Sequence, residues 1–323
     1  GDAYGALARY STAVHLAARS RDRCAQRAVL GRSALTHAHR GARGAAEATL
    51  AACAALPCPT GHDADLAAEE AAASLIVSLS RLNAEAPVLL AQYRASATAG
   101  FASICVDLAR IRWCVATNDL ECLTETSLRG TQTDLSVVSD ATRDIETYGL
   151  VLAQVALQDL AGALATVESG ASGPLTQFAV ARLALQAGFV DRAALMLRGA
   201  ALPARLTPTQ RAERALLDYW LSVARGRPVI SGARAQVRRL LANPDFRCLV
   251  GTLPAEILRH AEDRSTEAPP SSTAGAAGAA TPNRALYTLT PTELQVLTAL
   301  PTHRTTTALA RVFNLSPNTI KSH

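Results

Sequence analysis

The sequence predicts an all-α protein, and three observations support that prediction. Of the 323 residues 49% are hydrophobic but only 4% are aromatic, and the apolar share is mostly Ala, Leu and Val. Ala and Leu are strong helix formers, whereas strands favour β-branched and aromatic side chains. Apolar residues also recur at the i, i+3, i+4, i+7 spacing of a helix, and no long segment alternates with a period of two.

A succession of helices is predicted across residues 1–264. The first begins behind an Asp2 cap and places Leu7 and Tyr10 on one face. Four further apolar stripes predict four more helices, in the order Leu75, Ile76, Leu79 and Leu82; Phe101, Ile104, Cys105, Leu108, Ile111 and Val115; Phe178, Val180, Leu183 and Leu185; and Leu216, Leu217, Trp220, Leu221 and Ala224. Turn-forming residues predict breaks at 57–61, 83, 118–119, 170–174, 202–203 and 228, and helix ends at Gly188 and Gly226.

A short pattern recurs within this region: a glycine or turn, an alanine about four residues into the next helix, and a larger side chain about four residues later. It occurs as Gly1-Asp2 with Ala6 and Tyr10, Gly41 with Ala45, Ala46 and Leu50, and Gly188 with Ala193, Ala194 and Leu197. Small residues let paired helices approach closely, so the region resembles a tetratricopeptide-type helical array. No single repeat has that family's full signature, and an irregular Ala-rich helical domain is the alternative.

Residues 265–283 have the composition of a linker. They are rich in Pro, Gly, Ala, Ser and Thr and contain no large apolar side chain. Such a segment buries too little apolar surface to offset the entropy lost on ordering, so it is predicted to be flexible. The chain is therefore divided into a helical domain at 1–264, a linker at 265–283 and a C-terminal domain at 284–323.

The C-terminal domain is predicted to contain a helix followed by a helix-turn-helix. Capping residues mark three helix starts, at Thr290 with Pro291 and Glu293 in a capping box, at Thr305 or Thr306, and at Ser316 with Pro317. Asn314 and Leu315 form the turn before the third helix. Two short helices joined by a tight turn, with polar and basic residues opening the second, are typical of a helix-turn-helix that binds DNA.

Residues 289–323 resemble, without a gap, the C-terminal DNA-binding domain of the LuxR family of transcriptional regulators. The patterns L-T-P-x-E-x-x-V-L and L-S-x-x-T-[VI]-K-x-H match at Leu289, Thr290, Pro291, Glu293, Val296, Leu297, Leu315, Ser316, Thr319, Ile320, Lys321 and His323, with Ala310 at the small position between them. A helical array before such a domain is similar to the large multidomain regulators of this family. The resemblance implies sequence-specific binding to double-stranded DNA, and the family's two-fold sites imply a homodimer.

The resemblance assigns the DNA contacts to the helix that begins at Ser316. Lys321 is expected to approach a phosphate or a base edge, and Ser322 lies at a position that often faces bases. Ser316 and Thr319 are expected to bind the DNA backbone near the helix start, and Asn318 completes the predicted set. Residues 284–323 carry four basic residues against one acidic residue, a net +3 of the chain's +5, which favours phosphate binding.

Three residues depart from the family pattern: Thr292 stands where Arg is usual, His303 where Gly is usual, and Ala308 where Glu is usual. The changes at 303 and 308 weaken local capping, so a less stable domain is expected. The third helix is also expected to stop at His323, without the final helix that supports the domain in the family. On this expectation the segment is the front part of a LuxR-type domain.

Other classes of function lack their signatures. Lys321 is the only lysine and no Gly-rich loop precedes it, which excludes a P-loop nucleotide site. No metalloprotease, nucleophile-elbow or dinucleotide motif occurs, so the protein is predicted not to be an enzyme and to need no cofactor. His62, Asp63 and Asp65 lie close together in the sequence, but a solvated loop is favoured over a cation site, and no metal is predicted.

The cysteines and the hydropathy indicate a cytoplasmic protein that is not in a membrane. The seven cysteines are odd in number and form no C-x-x-C motif, which argues against a disulfide framework or a zinc site. Cys105 and Cys114 lie in apolar helical runs and are expected to be small buried thiols. No apolar run reaches the length of a membrane span, about 18 residues, and the N-terminus lacks a signal-peptide pattern. His37 and His39 fall on different faces of one helix and are expected at the surface.

These patterns together predict a LuxR-type DNA-binding regulator whose helical domain receives a small-molecule or protein effector. The alternative is a helical protein-interaction scaffold in which the helix-turn-helix is vestigial.

Overall fold

The computed structural model describes residues 3–56, 63–96, 100–130, 139–170, 173–198, 206–226, 229 and 231–262. Within these ranges every regular element is a helix, which confirms the all-α prediction. The predicted linker at 265–283 and the predicted LuxR-type domain at 284–323 lie outside the described residues, so both stay predictions.

Fifteen α-helices are present in the described ranges. They are α1 Ala3–Arg19, α2 Arg23–Arg40, α3 Arg43–Ala54, α4 Asp63–Ser80, α5 Ala86–Ser96, α6 Phe101–Thr117, α7 Leu120–Gly130, α8 Asp140–Ala156, α9 Leu160–Ser169, α10 Pro174–Gln186, α11 Val190–Arg198, α12 Pro208–Ala224, α13 Ser231–Ala242, α14 Arg247–Val250 and α15 Ala255–Glu262. A 3₁₀ turn at Pro244–Phe246 precedes α14.

From α2 to α13 the helices form successive pairs joined by short connections. The first helix of each pair is followed by one residue with positive φ, at Gly41, Leu82, Asn118, Gln158, Gly188 and Gly226. In five of the six turns, backbone hydrogen bonds from this residue and the next one reach back to the last helical turn, for example Asn118 N to Val115 O and Asp119 N to Cys114 O. This Schellman pattern satisfies carbonyls that the helix end leaves free, so it reverses the chain at low cost.

The turn after α4 corrects one predicted boundary. Leu82 was predicted on the apolar stripe of this helix, but α4 ends at Ser80 and Leu82 has a φ of 56°. The backbone N–H of Asn83 donates to Ser78 O at 3.1 Å, which closes the helix end before the stripe is complete. The predicted break at Asn83 is confirmed, and so are the ends expected near Gly188 and Gly226.

The first helices of the pairs form an inner layer. Each packs on the next in the order α2, α4, α6, α8, α10 and α12, and α12 also contacts α2, so the layer curves back on itself. The second helices form an outer layer, in which α3, α7, α9 and α11 each contact their own partner and the first helix of the following pair. Helix α14, which follows the last pair, packs against α4 and α6. Whether this array belongs to the tetratricopeptide type stays a prediction.

Buried apolar side chains join the inner helices into one continuous core. The core contains small residues such as Ala34, Ala46 and Ala163 and large side chains such as Phe178 and Tyr148, each with no exposed surface. Close-packed interiors of this kind hold backbone positions firmly, so polar groups that face the inner layer are rigidly placed.

Candidate functional site

The DNA-binding residues that the sequence predicts cannot be placed in the fold. Ser316, Asn318, Thr319, Lys321 and Ser322 lie outside the described residues. The side chains of His62, Asp63 and Asp65, weighed above as a cation site, are likewise not described. Among the residues that the structure does describe, no cluster of His, Cys, Asp or Glu is suited to a metal ion.

A groove of about 870 Å³ opens on the face of the inner layer. Six helices contribute to its wall, namely α1, α2, α6, α8, α10 and α12. Apolar and aromatic side chains line much of it, among them Tyr4, Phe101, Leu108, Ile145 and Leu175. Concave, largely apolar pockets with a few fixed polar groups are typical of sites for small ligands.

A small polar cavity of about 20 Å³ adjoins the floor of the groove. His39, Leu108, Arg112 and Thr209 line both spaces, so the cavity and the groove form one site. Arg43 lines the cavity from the side away from the groove. A volume of this size accommodates about one water or one small polar group.

Arg43 begins α3 directly after the turn at Gly41, and its side chain is only 5% exposed. Its Nη2 donates to Ser80 Oγ at 2.7 Å. Its Nε and Nη1 are buried and have no acceptor among the described residues. Burial, and then the neighbouring Arg112 guanidinium, lower the pKa of Arg43 to about 10, so the side chain remains charged at neutral pH.

Arg112 enters the cavity from α6, with 8% of its surface exposed. Its guanidinium carbon lies 5.1 Å from the centroid of the Tyr148 ring, which is a cation–π contact. Its Nε and Nη2 are buried without an acceptor in the part of the chain that the structure describes. Two guanidinium groups therefore face one cavity, and each keeps N–H groups that the described protein does not satisfy.

Thr209 and His39 complete the polar lining. Thr209 is fixed in the first turn of α12, where Thr207 and Gln210 form a capping box, and its buried Oγ1 has no partner among the described residues. Burial, followed by the charges of Arg112 and Arg43, lowers the pKa of His39 to about 3. His39 is therefore neutral at physiological pH, and its ring packs edge-on against Phe101.

The carboxylates closest to this site already have partners. Asp245 accepts from Arg81 Nε at 2.7 Å, at the rim of the small cavity. Asp144, in the groove wall, caps α10 by accepting from the backbone N–H and the hydroxyl of Thr176 at 2.8 and 2.7 Å. Glu213 pairs with Arg182 at 2.7 Å, and its charge also helps to raise the pKa of Arg112. The site still presents more positive charge and free hydrogen-bond donors than negative groups.

No pattern in the sequence predicts this site. Arginines are scattered along the chain, so neither Arg43 nor Arg112 stood out, and their meeting depends on the packing of α3 against α6 through α4. His39, which was expected at the surface, is half-buried on α2 and lines both the groove and the small cavity. The turn glycine Gly41, two residues before Arg43, was the one local signal near this site.

The cysteines also differ in part from the prediction. Cys24 takes part in a disulfide, although no disulfide framework was expected. Cys105 and Cys114 are buried and free, as expected. Cys53 and Cys248 are also buried and free, and Cys122 is half-buried and free.

None of the described helices combines the length and the apolar character that crossing a bilayer requires. Comparisons of the chain with protein-family models, with curated proteins and with solved structures found no match. The two family resemblances therefore depend on the residues quoted for them.

Proposed function

We propose that the protein is a DNA-binding transcriptional regulator of the LuxR type whose helical domain receives the regulating signal. The observation that supports this proposal is the ungapped pattern over residues 289–323, with polar and basic residues opening the helix at Ser316. In this proposal Lys321, Ser322, Ser316, Thr319 and Asn318 contact double-stranded DNA, and a homodimer binds a two-fold site. The protein acts in the cytoplasm.

The groove supports the second half of the proposal. A regulator that responds to a signal needs a site that distinguishes its bound from its free state. The groove lies among helices from both ends of the described array, since α1 and α2 face α10 and α12 across it. A ligand there contacts several pairs at once, which couples binding to the curvature of the whole array.

The direct test is DNA binding by the full natural chain. Fluorescence anisotropy is measured on DNA from upstream of the protein's own gene neighbourhood, across a salt series. Binding is expected to saturate. The logarithm of the binding constant is expected to fall linearly with the logarithm of the salt concentration, because contacts to phosphates release counterions. Lys321→Ala is expected to weaken binding and to reduce the salt slope by about one.

Arg9→Ala provides the matched control. Arg9 is an exposed basic residue on α1, and its replacement changes the net charge by the same amount as Lys321→Ala. It is expected to leave the anisotropy curve unchanged. A chain that ignores DNA at low salt overturns the regulator, and so does equal weakening by the Lys321 and Arg9 variants.

The two-layer array with its concave groove favours a second function, a protein-interaction scaffold. Stacked helix pairs of this kind commonly present extended binding surfaces. Under this function residues 1–264 bind a partner and the segment 284–323 has no role on DNA. Failure of the DNA test would leave the scaffold as the better proposal.

A further inference from the structure

The cavity at the floor of the groove holds more hydrogen-bond donors than the described protein satisfies. Four guanidinium nitrogens, Nε and Nη1 of Arg43 and Nε and Nη2 of Arg112, are buried without an acceptor there, and so is Thr209 Oγ1. A buried donor without a partner costs free energy, and a charged donor costs more than a neutral one. Two like charges at one cavity add repulsion to that cost. A negatively charged group with acceptor oxygens would pair with these donors and would also reduce the repulsion between the two arginines.

We infer that the site binds a small organic carboxylate, whose carboxylate group lies among Arg43, Arg112 and Thr209 and whose apolar body lies in the groove. Arginine forms forked, charge-assisted hydrogen bonds that match the two oxygens of a planar carboxylate. The cavity of about 20 Å³ suits this small flat group better than a bulkier phosphate. The Thr209 hydroxyl supplies a third donor.

The side chains that line the groove determine which chemical class the rest of the ligand belongs to. Its wall includes the rings of Tyr4 and Phe101 and the side chains of Leu108, Ile145 and Leu175, so it favours an aromatic or aliphatic body. Arg40 lies at the groove with its guanidinium 4.2 Å from the centroid of the Tyr4 ring. Its positive charge adds to the attraction for an anion approaching the floor.

This inference deepens the proposed function by naming the chemical class of the signal, and only the ligand's regulatory role rests on that function. Binding is measured on the full chain without DNA. A protein that binds carboxylates but not DNA refutes the regulator and keeps the site. A protein that binds DNA but no carboxylate supports the regulator and refutes the carboxylate site.

The test uses three probes, sodium cinnamate, its uncharged amide cinnamamide, and inorganic phosphate. Isothermal titration calorimetry and thermal unfolding are recorded for the full chain at constant ionic strength. Cinnamate is expected to bind saturably and to raise the unfolding temperature. Cinnamamide has the same body without the charge and is expected to bind about tenfold to a hundredfold more weakly, as is phosphate.

Three variants locate the binding. Arg112→Gln and Arg43→Gln are each expected to weaken cinnamate about tenfold or more, and the near-isosteric Thr209→Val about threefold to tenfold. Arg211→Gln removes an exposed charge from the same helix as Thr209 and is expected to leave affinity unchanged. Because Nε and Nη1 of Arg43 lack acceptors, Arg43→Gln is expected to unfold at the same or a higher temperature than the parent when no probe is present. Arg112→Gln is expected to lose some stability, because Arg112 also helps to keep the buried Glu213 charged.

The stability of Arg43→Gln without probe separates a ligand site from a structural role. If this variant loses stability and both Arg→Gln variants bind cinnamate like the parent, the arginines serve the fold and the inference is wrong. Equal binding of cinnamate and cinnamamide also overturns it, because the charge then plays no part. Phosphate binding that exceeds cinnamate binding and depends on Arg112 refutes the carboxylate assignment.

Discussion

Arg182 of α10 and Glu213 of α12 form an ion pair that is closed to solvent, with 2.7 Å between Nη2 and Oε1 and side-chain exposures of 3% and 0%. The other terminal nitrogen of Arg182 donates to Thr252 O at 2.9 Å. Burial opposes the charged form of Glu213, but the guanidiniums of Arg182 and Arg112 outweigh it and the pKa of this carboxyl lies below its usual value. The pair joins two inner helices to the chain after α14.

Breaking this pair is expected to be costly. Glu213→Gln leaves Arg182 charged, buried and without its counter-charge, which predicts a loss of about 3–5 kcal/mol in the free energy of unfolding. Urea unfolding at pH 7 measures it. The matched control is Asp218→Asn on the same helix, because Asp218 is about half exposed and pairs with Arg214 at 2.7 Å. Exposed pairs contribute about 0–1 kcal/mol, so similar losses in the two variants would contradict the prediction.

Glu146 is expected to make stability depend on pH in the neutral range. Burial, and then the charge of Asp107, raise its pKa to about 7, partly opposed by Arg143. The folded state therefore holds this proton more tightly than the unfolded state, whose carboxyl titrates near its ordinary value, about 4.3. The stability it contributes is complete below that value and is lost as the pH rises through about 7.

Replacing Glu146 by Gln keeps a neutral side chain at every pH. The free energy of unfolding of Glu146→Gln, relative to the parent, is expected to increase from pH 5 to about pH 7 and to level off by pH 8. Urea titrations at four pH values in this range measure the difference. Glu168→Gln on the exposed side of α9 controls for the loss of one negative charge. A difference that stays constant with pH would show that Glu146 ionises normally in the folded state.

Local chemistry explains what the sequence could predict and where it failed. The breaks at Asn118 and Gly188 were predictable because these residue types tolerate the left-handed conformation that ends a helix. The end of α4 was misplaced at Leu82 because an apolar stripe gives no information about the hydrogen bond from Asn83 N to Ser78 O.

The candidate site could not be predicted in the same way. Arg43 and Arg112 lie 69 positions apart in the sequence, on helices whose contact depends on the packing of the whole array. Single-sequence patterns report periodicity and capping, both local properties, whereas a buried unpaired charge is a property of the assembled fold. For His39 the helical pattern even pointed to the surface, because it shows which face a residue occupies but not what covers that face.

Cys122 is expected to be the most reactive of the free thiols that the structure describes. Its Sγ accepts a hydrogen bond from Cys114 Sγ at 2.6 Å and another from Arg110 Nε at 3.2 Å. The first contact, and then Arg110, lower the pKa of Cys122, although burial opposes the shift. A lowered pKa enlarges the thiolate fraction at neutral pH, and the thiolate is the form that reacts with alkylating agents.

Iodoacetamide labelling across pH 5–9, read by mass spectrometry, tests this assignment. The labelling rate at Cys122 is expected to rise with a midpoint below that of an ordinary thiol, and Cys53, with a pKa raised to about 11 by burial, is expected to label far more slowly. Cys114→Ala removes the closer donor and should move the Cys122 midpoint upward, toward that of a free thiol. The lowered pKa is refuted if the midpoint is the same with and without Cys114.

Gly41 joins the first pair of helices to α12 and positions the candidate site. Its φ is 91°, and a Cβ there would collide with the Thr209 hydroxyl and lie 3.0 Å from the Thr209 backbone nitrogen. Gly188 ends α10 with a similar φ of 78°, but a Cβ there meets nothing within 4 Å. Both glycines therefore adopt a left-handed backbone conformation, but only Gly41 lies so close to a neighbouring helix that a Cβ would collide with it.

Comparing Gly41→Ala with Gly188→Ala separates these two effects. Gly188→Ala is expected to lower the free energy of unfolding by about 1–2 kcal/mol, the cost of a left-handed residue with a Cβ. Gly41→Ala is expected to lose more, because α2 and α12 must move apart as well, and to weaken cinnamate binding through the displaced Thr209 hydroxyl. Urea unfolding and calorimetry measure both quantities. Equal losses of stability with unchanged cinnamate affinity would mean that the contact between Gly41 and Thr209 does not hold the site together.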